Sequence, residues 1–478
     1  MRNIVKNLIA LSMSQYYKTG VKILANIVTA RVLGPELKGV WSALNIICNF
    51  GRYYDLGIMA AMRRKLPILN VQGKVIEAQN LKNTVFTINV IVSILIGFCL
   101  ILFLFFKGSD FEVNVRVGIV AMIGILLLSR VSFFSTDYLL ANRRFVELAK
   151  INAFQVTSTA ILSVILVFKV NIYGIYIAEV MGWSVFCFYG VWRIKPTFQI
   201  SISLKELFGH MQVGFPLMLL ALGWTSFQMC DRMVIIKELS IESLGLYSIA
   251  TLGISVLQIA PNVIKSVIQP EILRQYAKNN HNPYVLKKYS YRPVYFVAIL
   301  MAILVGCVYL VLPQFVTQVL PSYASGIKSA QILLIGGFFL GLSLVSQQVL
   351  TATKRFRPMV AVMLSCIAIN VMLNVIVVRL GYGIEGVSLS TVVSYFFYTV
   401  AINKLVIIDL YEVSFISFIC YLVKATLPLC YVLAFILIAE KIVDEWTLYL
   451  SAVLFAVYIV YLFPLYCFAF GFIKSIRN

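Results

Sequence analysis

MSQYYKTGVKILANIVTARVLGP, residues 13–35, follows an apolar start and closes on a Gly-Pro stop, in a 478-residue chain that is 61% hydrophobic. It has the length of a membrane helix, yet it sets Lys18 and Lys22 close to where the bilayer midplane would fall. A charged side chain there costs roughly 2.5 kcal/mol or more. At about 100° per residue, Lys18, Lys22, Asn26 and Thr29 fall on the same side as Gln15, in a stripe roughly 80° wide. The opposite face is Ile, Leu and Val. A helix wrapped in lipid could not carry such a stripe, so it faces a bundle interior or a water-filled cavity. Snorkelling is the alternative. Lys18 lies some ten residues from either end, about 15 Å, which is beyond the reach of a lysine stem.

Only 12% of the residues are charged, about half the share in soluble domains. The apolar runs are long enough to span a bilayer. The chain therefore reads as an all-α polytopic membrane protein. No cleavable signal peptide is expected, because the first apolar segment carries lysines and no small-residue cleavage site follows. Nine cysteines are scattered, mostly inside apolar runs, and are expected to be buried free thiols. The net charge of +21 does not form a basic domain, and no nucleic-acid partner is expected.

The hydropathy pattern predicts 14 transmembrane helices, at about 7–30, 40–61, 84–106, 117–140, 151–169, 172–192, 211–232, 245–268, 294–314, 329–351, 359–379, 382–403, 415–439 and 446–472. Of the 40 Lys and Arg, 24 fall on the side that holds both termini, 10 on the other side and 6 inside spans. The positive-inside rule then makes both termini cytoplasmic. The clusters Arg63-Arg64-Lys65, Arg143-Arg144, Lys287-Lys288 and Lys354-Arg355-Arg357 read as topology and lipid-headgroup contacts.

The spans repeat. LLANRRF (139–145) matches LTATKRF (350–356), and VFKVNIYGIYIAEV (167–180) resembles VVRLGYGIEGVSLS (377–390), which pairs Gly174 with Gly383. RVLGPELKGVWSA (31–43) resembles RMVIIKELSIESLGLYSIA (232–250), pairing Gly39 with Gly245 and Trp41 with Tyr247. Spans 1–6 thus recur as spans 7–12 in the same orientation, because six crossings is an even number. The expected organisation is an N-terminal lobe (1–210), a C-terminal lobe (211–404) and two additional spans (405–478). Transporters built from parallel repeats bind substrate between the halves and alternate access by rocking them.

Further polar residues sit inside the spans. Span 2 carries Asn45, Asn49 and Arg52, with Asp55 one turn on, where an Arg52–Asp55 ion pair would satisfy both. Arg130 in span 4 and Lys265 in span 8 are further intramembrane cations, and Lys424 in span 13 reads as interfacial. The intramembrane acids are Asp55, Asp137, Glu179 and Asp231, which are candidates for coupling or gating. Asp231-Arg232 reads first as a structural pair at the end of span 7. Deep in the N-terminal half cations outnumber acids, which favours an anionic substrate; phosphate or diphosphate suits both Arg and Lys. The candidate binding residues are Lys18, Lys22, Arg52, Arg130, Lys265, Gln15, Asn26 and Asn49. Tyr16, Tyr17, Tyr53, Tyr54 and Trp224 are candidates for stacking on sugar rings.

No GxxxxGK[ST] and no HExxH are present, His210 and His281 are far apart, and no large outer loop exists. No enzyme and no cofactor are expected. A coupling ion, H⁺ or Na⁺, is left open.

The segments RVLGPELKGVWSAL (31–44), CDRMVIIKELSIESLGLYSIATL (230–252) and NVMLNVIVVRLGYGIEGVSLSTVVS (370–394) resemble the oligosaccharide (O-antigen) flippases. These form the polysaccharide-transporter branch of the multidrug/oligosaccharidyl-lipid/polysaccharide exporter (MOP) superfamily. The resemblance covers nearly the whole chain. It implies a two-lobed, V-shaped bundle in a bacterial inner membrane that moves undecaprenyl-diphosphate-linked sugar units to the periplasmic leaflet. Glycosyltransferases and a polymerase of the same pathway are possible partners. The related peptidoglycan-precursor flippases use cavity cations in spans 1 and 2 for the diphosphate, and Lys18, Lys22 and Arg52 occupy comparable places. A peptidoglycan-precursor flippase is therefore an alternative reading. A drug antiporter is disfavoured, since it would need midplane acids rather than lysines.

Overall fold

The computed structural model describes residues 2–200, 204–442, 457–458 and 461–462. The chain divides into two compact units, Met1–Ser226 and Phe227–Asn478. The first holds α1 (Arg2–Phe50), α2 (Ile58–Val71), α3 (Val75–Lys107), α4 (Val113–Ala141), α5 (Phe145–Val170), α6 (Ile172–Ile194) and nearly all of α7 (Leu204–Phe227). The second holds α8 (Cys230–Glu238), α9 (Ile241–Leu257), α10 (Ile259–Lys278), α11 (Lys287–Val319), α12 (Ile327–Ala352), α13 (Phe356–Arg379), α14 (Gly383–Ile407) and α15 (Phe415–Ile442). No strand occurs among the described residues.

Ten helices among the described residues are long and apolar enough to cross a membrane, as expected of a multi-pass membrane protein. Ten of the fourteen expected spans, the third to sixth and the eighth to thirteenth, match these helices; the first, second and seventh fall on α1, α2, α7 and α8. The fourteenth, at 446–472, lies almost wholly outside the described residues. The eight described cysteines are free.

Three local features depart from the expected spans. Spans 1 and 2 are not separated by a loop: α1 runs through both and breaks only at Gly34, which takes φ 68. Glycine reaches that left-handed region without a Cβ penalty, and Pro35, with its fixed φ and missing N–H, restarts the helix just after it. Lys38, assigned to an outer loop, is therefore helical and only 3% exposed. Its ammonium reaches back across the kink to Asn26 Oδ1, and to Thr29 Oγ1 at 3.5 Å. Span 2 in turn is not one helix. It unwinds between the end of α1 and the start of α2, so residues 51–57 lie outside helical structure.

The two units share a packing plan. In the first, α1 packs on α5, α4 on α6, α5 on α6 and α3 on α4. The corresponding spans of the second do the same: α8 on α13, α12 on α14, α13 on α14 and α11 on α12. The span 2 interruption also recurs. Gly39 and Gly245 set an offset of 206, which carries residue 51 to 257, and α9 ends at Leu257. The cytoplasm-assigned ends of α4 and α12 carry the same cap: Arg143 and Lys354 both take φ 57. The next N–H bonds back to the helix in each, Arg144 N to Leu139 O and Arg355 N to Leu350 O, both at 2.9 Å. This 6→1 closure satisfies carbonyls that the helix end leaves open. Gly174 and Gly383, paired in sequence, play different parts. Gly383 opens α14 at φ 53, whereas Gly174 lies inside α6 against the backbone of Leu166.

In the first unit one apolar cluster joins α2, α3 and α4 through Met62, Val85, Phe86 and Phe134. A second joins α1, α4, α5 and α6 through Leu44, Met122, Val167 and Tyr176. Small residues let the helices approach closely, as packing in a membrane favours: a Cβ on Gly182 would fall 1.8 Å from Thr159 Oγ1.

Candidate functional site

The interruption of span 2 is held from the side by α4. Arg130 is 1% exposed and donates through Nη1 to Arg52 O at 2.8 Å and through Nε to Asn89 Oδ1 at 3.0 Å. Its Nη2 faces Asp55 Oδ1 at 3.5 Å, and its guanidinium lies 4.6 Å from the centre of the Tyr54 ring. Asp55, itself buried, also accepts from the N–H of Met59 at 3.0 Å in the first turn of α2. A carboxylate there suits the positive helix end. Asn89 Nδ2 returns a bond to Arg130 O at 3.1 Å. Two backbone groups at the break, Arg52 O and Met59 N–H, thus find side-chain partners, the kind of compensation that lets a membrane helix unwind. The Arg52–Asp55 pair expected from their spacing does not form, because the helix that would align them is absent. Asp55 pairs with Arg130 instead.

With Arg130 committed to the break, Arg52 is left exposed. Its guanidinium sits 4.7 Å from the centre of the Phe133 ring, within cation–π range. Phe133 packs edge-on against Trp183 at 5.4 Å, and Trp183 Nε1 donates to Glu179 Oε2 at 3.1 Å. Lys18 lies within electrostatic reach of Lys22, Arg52 and Glu179. Among the described residues the charged groups of Lys18, Lys22 and Arg52 hold no hydrogen bond and no ion pair. Three cations and, among the described residues, one acid, Glu179, therefore share one neighbourhood. Uncompensated like charges in a low-dielectric surrounding attract anions strongly.

The polar stripe on α1 divides into two parts. Gln15, Lys18 and Lys22 are exposed or half-buried. Asn26 and Thr29 are taken by Lys38, which the hydropathy pattern places between spans 1 and 2. The signal that would have found it is the Gly-Pro restart itself, which puts Lys38 one helical turn after Pro35. Asn45 and Asn49 turn back onto their own helix, bonding the carbonyls of Trp41 and Asn45 at 2.9 and 2.8 Å. Asp137 pairs with Arg63 at 3.3 Å. Of the stacking candidates, Tyr54 lies beneath Arg130, Tyr53 bonds Thr225 at 2.7 Å and Tyr17 bonds Thr157 at 2.8 Å.

The second unit is built differently. Gln258 stands at the position that the 206-residue offset assigns to Arg52, and its Nε2 is buried without a partner among the described residues. Lys265 is half-buried on α10. Asp231 is buried and accepts from Tyr247 OH at 2.5 Å and from the N–H of Arg232 at 2.7 Å. Nearby, Asn370 Oδ1 accepts from Asn374 at 2.7 Å and Cys230 Sγ at 3.2 Å. Sequence reasoning did not single out Asn370 and Asn374, since asparagines on an apolar helix become informative only once their neighbours are known.

The fold is that of known membrane transporters. The structure is similar over 98% of its length to the whole of the lipid II flippase MurJ in an inward closed conformation (TM-score 0.73, 14% identity). It is similar over 86% of its length to 95% of an inward-facing multidrug resistance MATE family transporter of the MOP superfamily (TM-score 0.65, 13% identity). A MOP superfamily transporter from Pyrococcus furiosus, with a binding pocket described as reversed in polarity, matches over 85% of this chain and 96% of its own (TM-score 0.59, 14% identity). No curated protein matches by sequence. The family described as "Polysaccharide biosynthesis protein" matches residues 28–322, more than half of the chain. This multi-pass membrane protein, with the fold of known membrane transporters, belongs to the polysaccharide biosynthesis protein family.

Proposed function

We propose that this protein is a flippase. It moves an undecaprenyl-diphosphate-linked oligosaccharide, an O-antigen or similar polysaccharide repeat unit, from the cytoplasmic to the periplasmic leaflet of a bacterial inner membrane. Access alternates between the two sides, and both termini are cytoplasmic. The observation that carries this reading is the trio Lys18, Lys22 and Arg52 in the first unit, whose charged groups are unpaired among the described residues, beside Glu179. A diphosphate carries the complementary charge. Arg forks and Lys point charges bind phosphate oxygens through charge-assisted bonds worth about 1.5–3 kcal/mol each. The sugar crosses in water while the polyprenyl chain stays in lipid. Membership of the polysaccharide biosynthesis family favours a glycan cargo.

The test is export of lipid-linked glycan in cells that carry Lys18→Gln and Lys22→Gln together, at matched protein levels. Loss of two charge-assisted contacts predicts export lowered by at least about tenfold. The lipid-linked intermediate that accumulates identifies the headgroup, and a peptidoglycan precursor in that place would shift the substrate assignment. Undiminished export would sink the proposal.

A further inference from the structure

A groove of about 680 Å³ opens between α5 and α6 on the first unit. It lies outside the cation site. On α6, Phe188 and Trp192 point roughly 180–220° away from Glu179 at 100° per residue. The groove walls are apolar and bare: Phe154 is 60% exposed, Phe188 76% and Trp192 62%. On a membrane protein such a surface belongs to lipid.

One end of the groove is charged. Glu147 accepts from Arg193 Nε and Tyr189 OH, both at 2.8 Å, and pairs with Arg144 at 2.5 Å. Two arginines on one carboxylate leave one positive charge. Lys150, exposed one turn along α5, adds a second and holds no ion pair among the described residues. From Trp192 back to Ser184 the groove runs about 12 Å along α6, enough for the upper half of an acyl chain. An aromatic ring at the charged end and bare phenylalanines beyond it match the layering of a bilayer interface.

We propose that this groove holds one anionic phospholipid, with an acyl chain between α5 and α6 and its phosphate against Lys150 and Arg193. The charge decides the class of lipid. A net positive rim stabilises an anionic headgroup over a zwitterionic one, and the effect of one basic residue is about fivefold in occupancy.

The experiment uses Trp192 as the reporter. The full-length protein is placed in nanodiscs doped with phosphatidylglycerol or phosphatidylcholine carrying brominated chains. The difference between wild type and Trp192→Phe isolates the quenching of Trp192. With two net charges on the rim, half-maximal quenching is expected at about 25-fold lower mole fraction of the brominated phosphatidylglycerol. Lys150→Gln narrows that separation about fivefold, and Lys150→Arg, which keeps the charge, preserves it. Coincident curves in the wild type, a separation that Lys150→Gln leaves unchanged, or a Trp192 that neither lipid quenches would each overturn the proposal. So would relief of quenching by stoichiometric polyprenyl diphosphate, which would give the groove to that lipid instead.

Discussion

Arg130 donates a 2.8 Å hydrogen bond to the carbonyl oxygen of Arg52. One guanidinium holds the backbone that carries the other, and the two arginines have opposite fates. Arg130 is spent inside the protein on Asn89, Asp55 and the break, while Arg52 keeps its charge open.

Exchanging Arg130 and exchanging Arg52 should therefore have separable effects. Removing one partner of a buried pair costs about 3–5 kcal/mol. Arg130→Met or Asp55→Asn is expected to lower the unfolding temperature of the purified protein clearly. Arg52→Gln is expected to leave that temperature nearly unchanged and to reduce export. Equal melting of Arg130→Met and wild type would remove Arg130 from its bracing role.

Gly57 and Gly214 bring the break against α7 with no room for a side chain. A Cβ on Gly214 would lie 2.0 Å from Gly57 O, and Gly57 itself holds φ +85. Gly214→Ala should therefore lower the yield of folded protein sharply. Gly20→Ala meets nothing within 4 Å on a helix and should stabilise by about 0.5–1 kcal/mol. Thermal unfolding of the two variants side by side checks both signs.

Arg143 and Lys354 are non-glycine residues at φ 57, a conformation that costs an L-residue roughly 1–2 kcal/mol. Part of that is returned by the wider unfolded ensemble of glycine. Arg143→Gly and Lys354→Gly are each expected to raise stability by up to about 1 kcal/mol. A loss of similar size in either variant would show that the side chain, through lipid contact, outweighs the backbone.

Lys38 is a buried amine bonded to Asn26 and Thr29 across the Gly34 kink. Lys38→Ala would leave a void, with the buried Thr29 and half-buried Asn26 oxygens short of a donor, at a cost of about 2–5 kcal/mol. The measurement is residual folded fraction after heating in detergent. Full retention would mean that the kink is held without the lysine.

Much of the architecture was legible in sequence because lipid imposes a simple solvent. Apolar runs of fixed length mark the spans. The paired caps at Arg143 and Lys354 were visible as LLANRRF and LTATKRF, since a helix end needs its own local chemistry. The stripe on α1 was legible for the same reason: in a regular helix, spacing alone sets the face.

Regularity is also where the reading stopped. At 100° per residue Arg52 and Asp55 belong together; residues 51–57 are not helical, so the rule did not apply to them. Arg130 is 78 residues from Arg52 and 75 from Asp55, and no periodicity within a span can pair such positions. Lys38 was hidden likewise, because whether a Gly-Pro step is a loop or a kink depends on what the following helix packs against. The sequence by itself determined the solvent, the spans, the repeat and the positive sign of the first half, since each depends on composition and local spacing. Tertiary packing alone decided which of those cations are neutralised at home and which stay open, because charge compensation is a contact between helices.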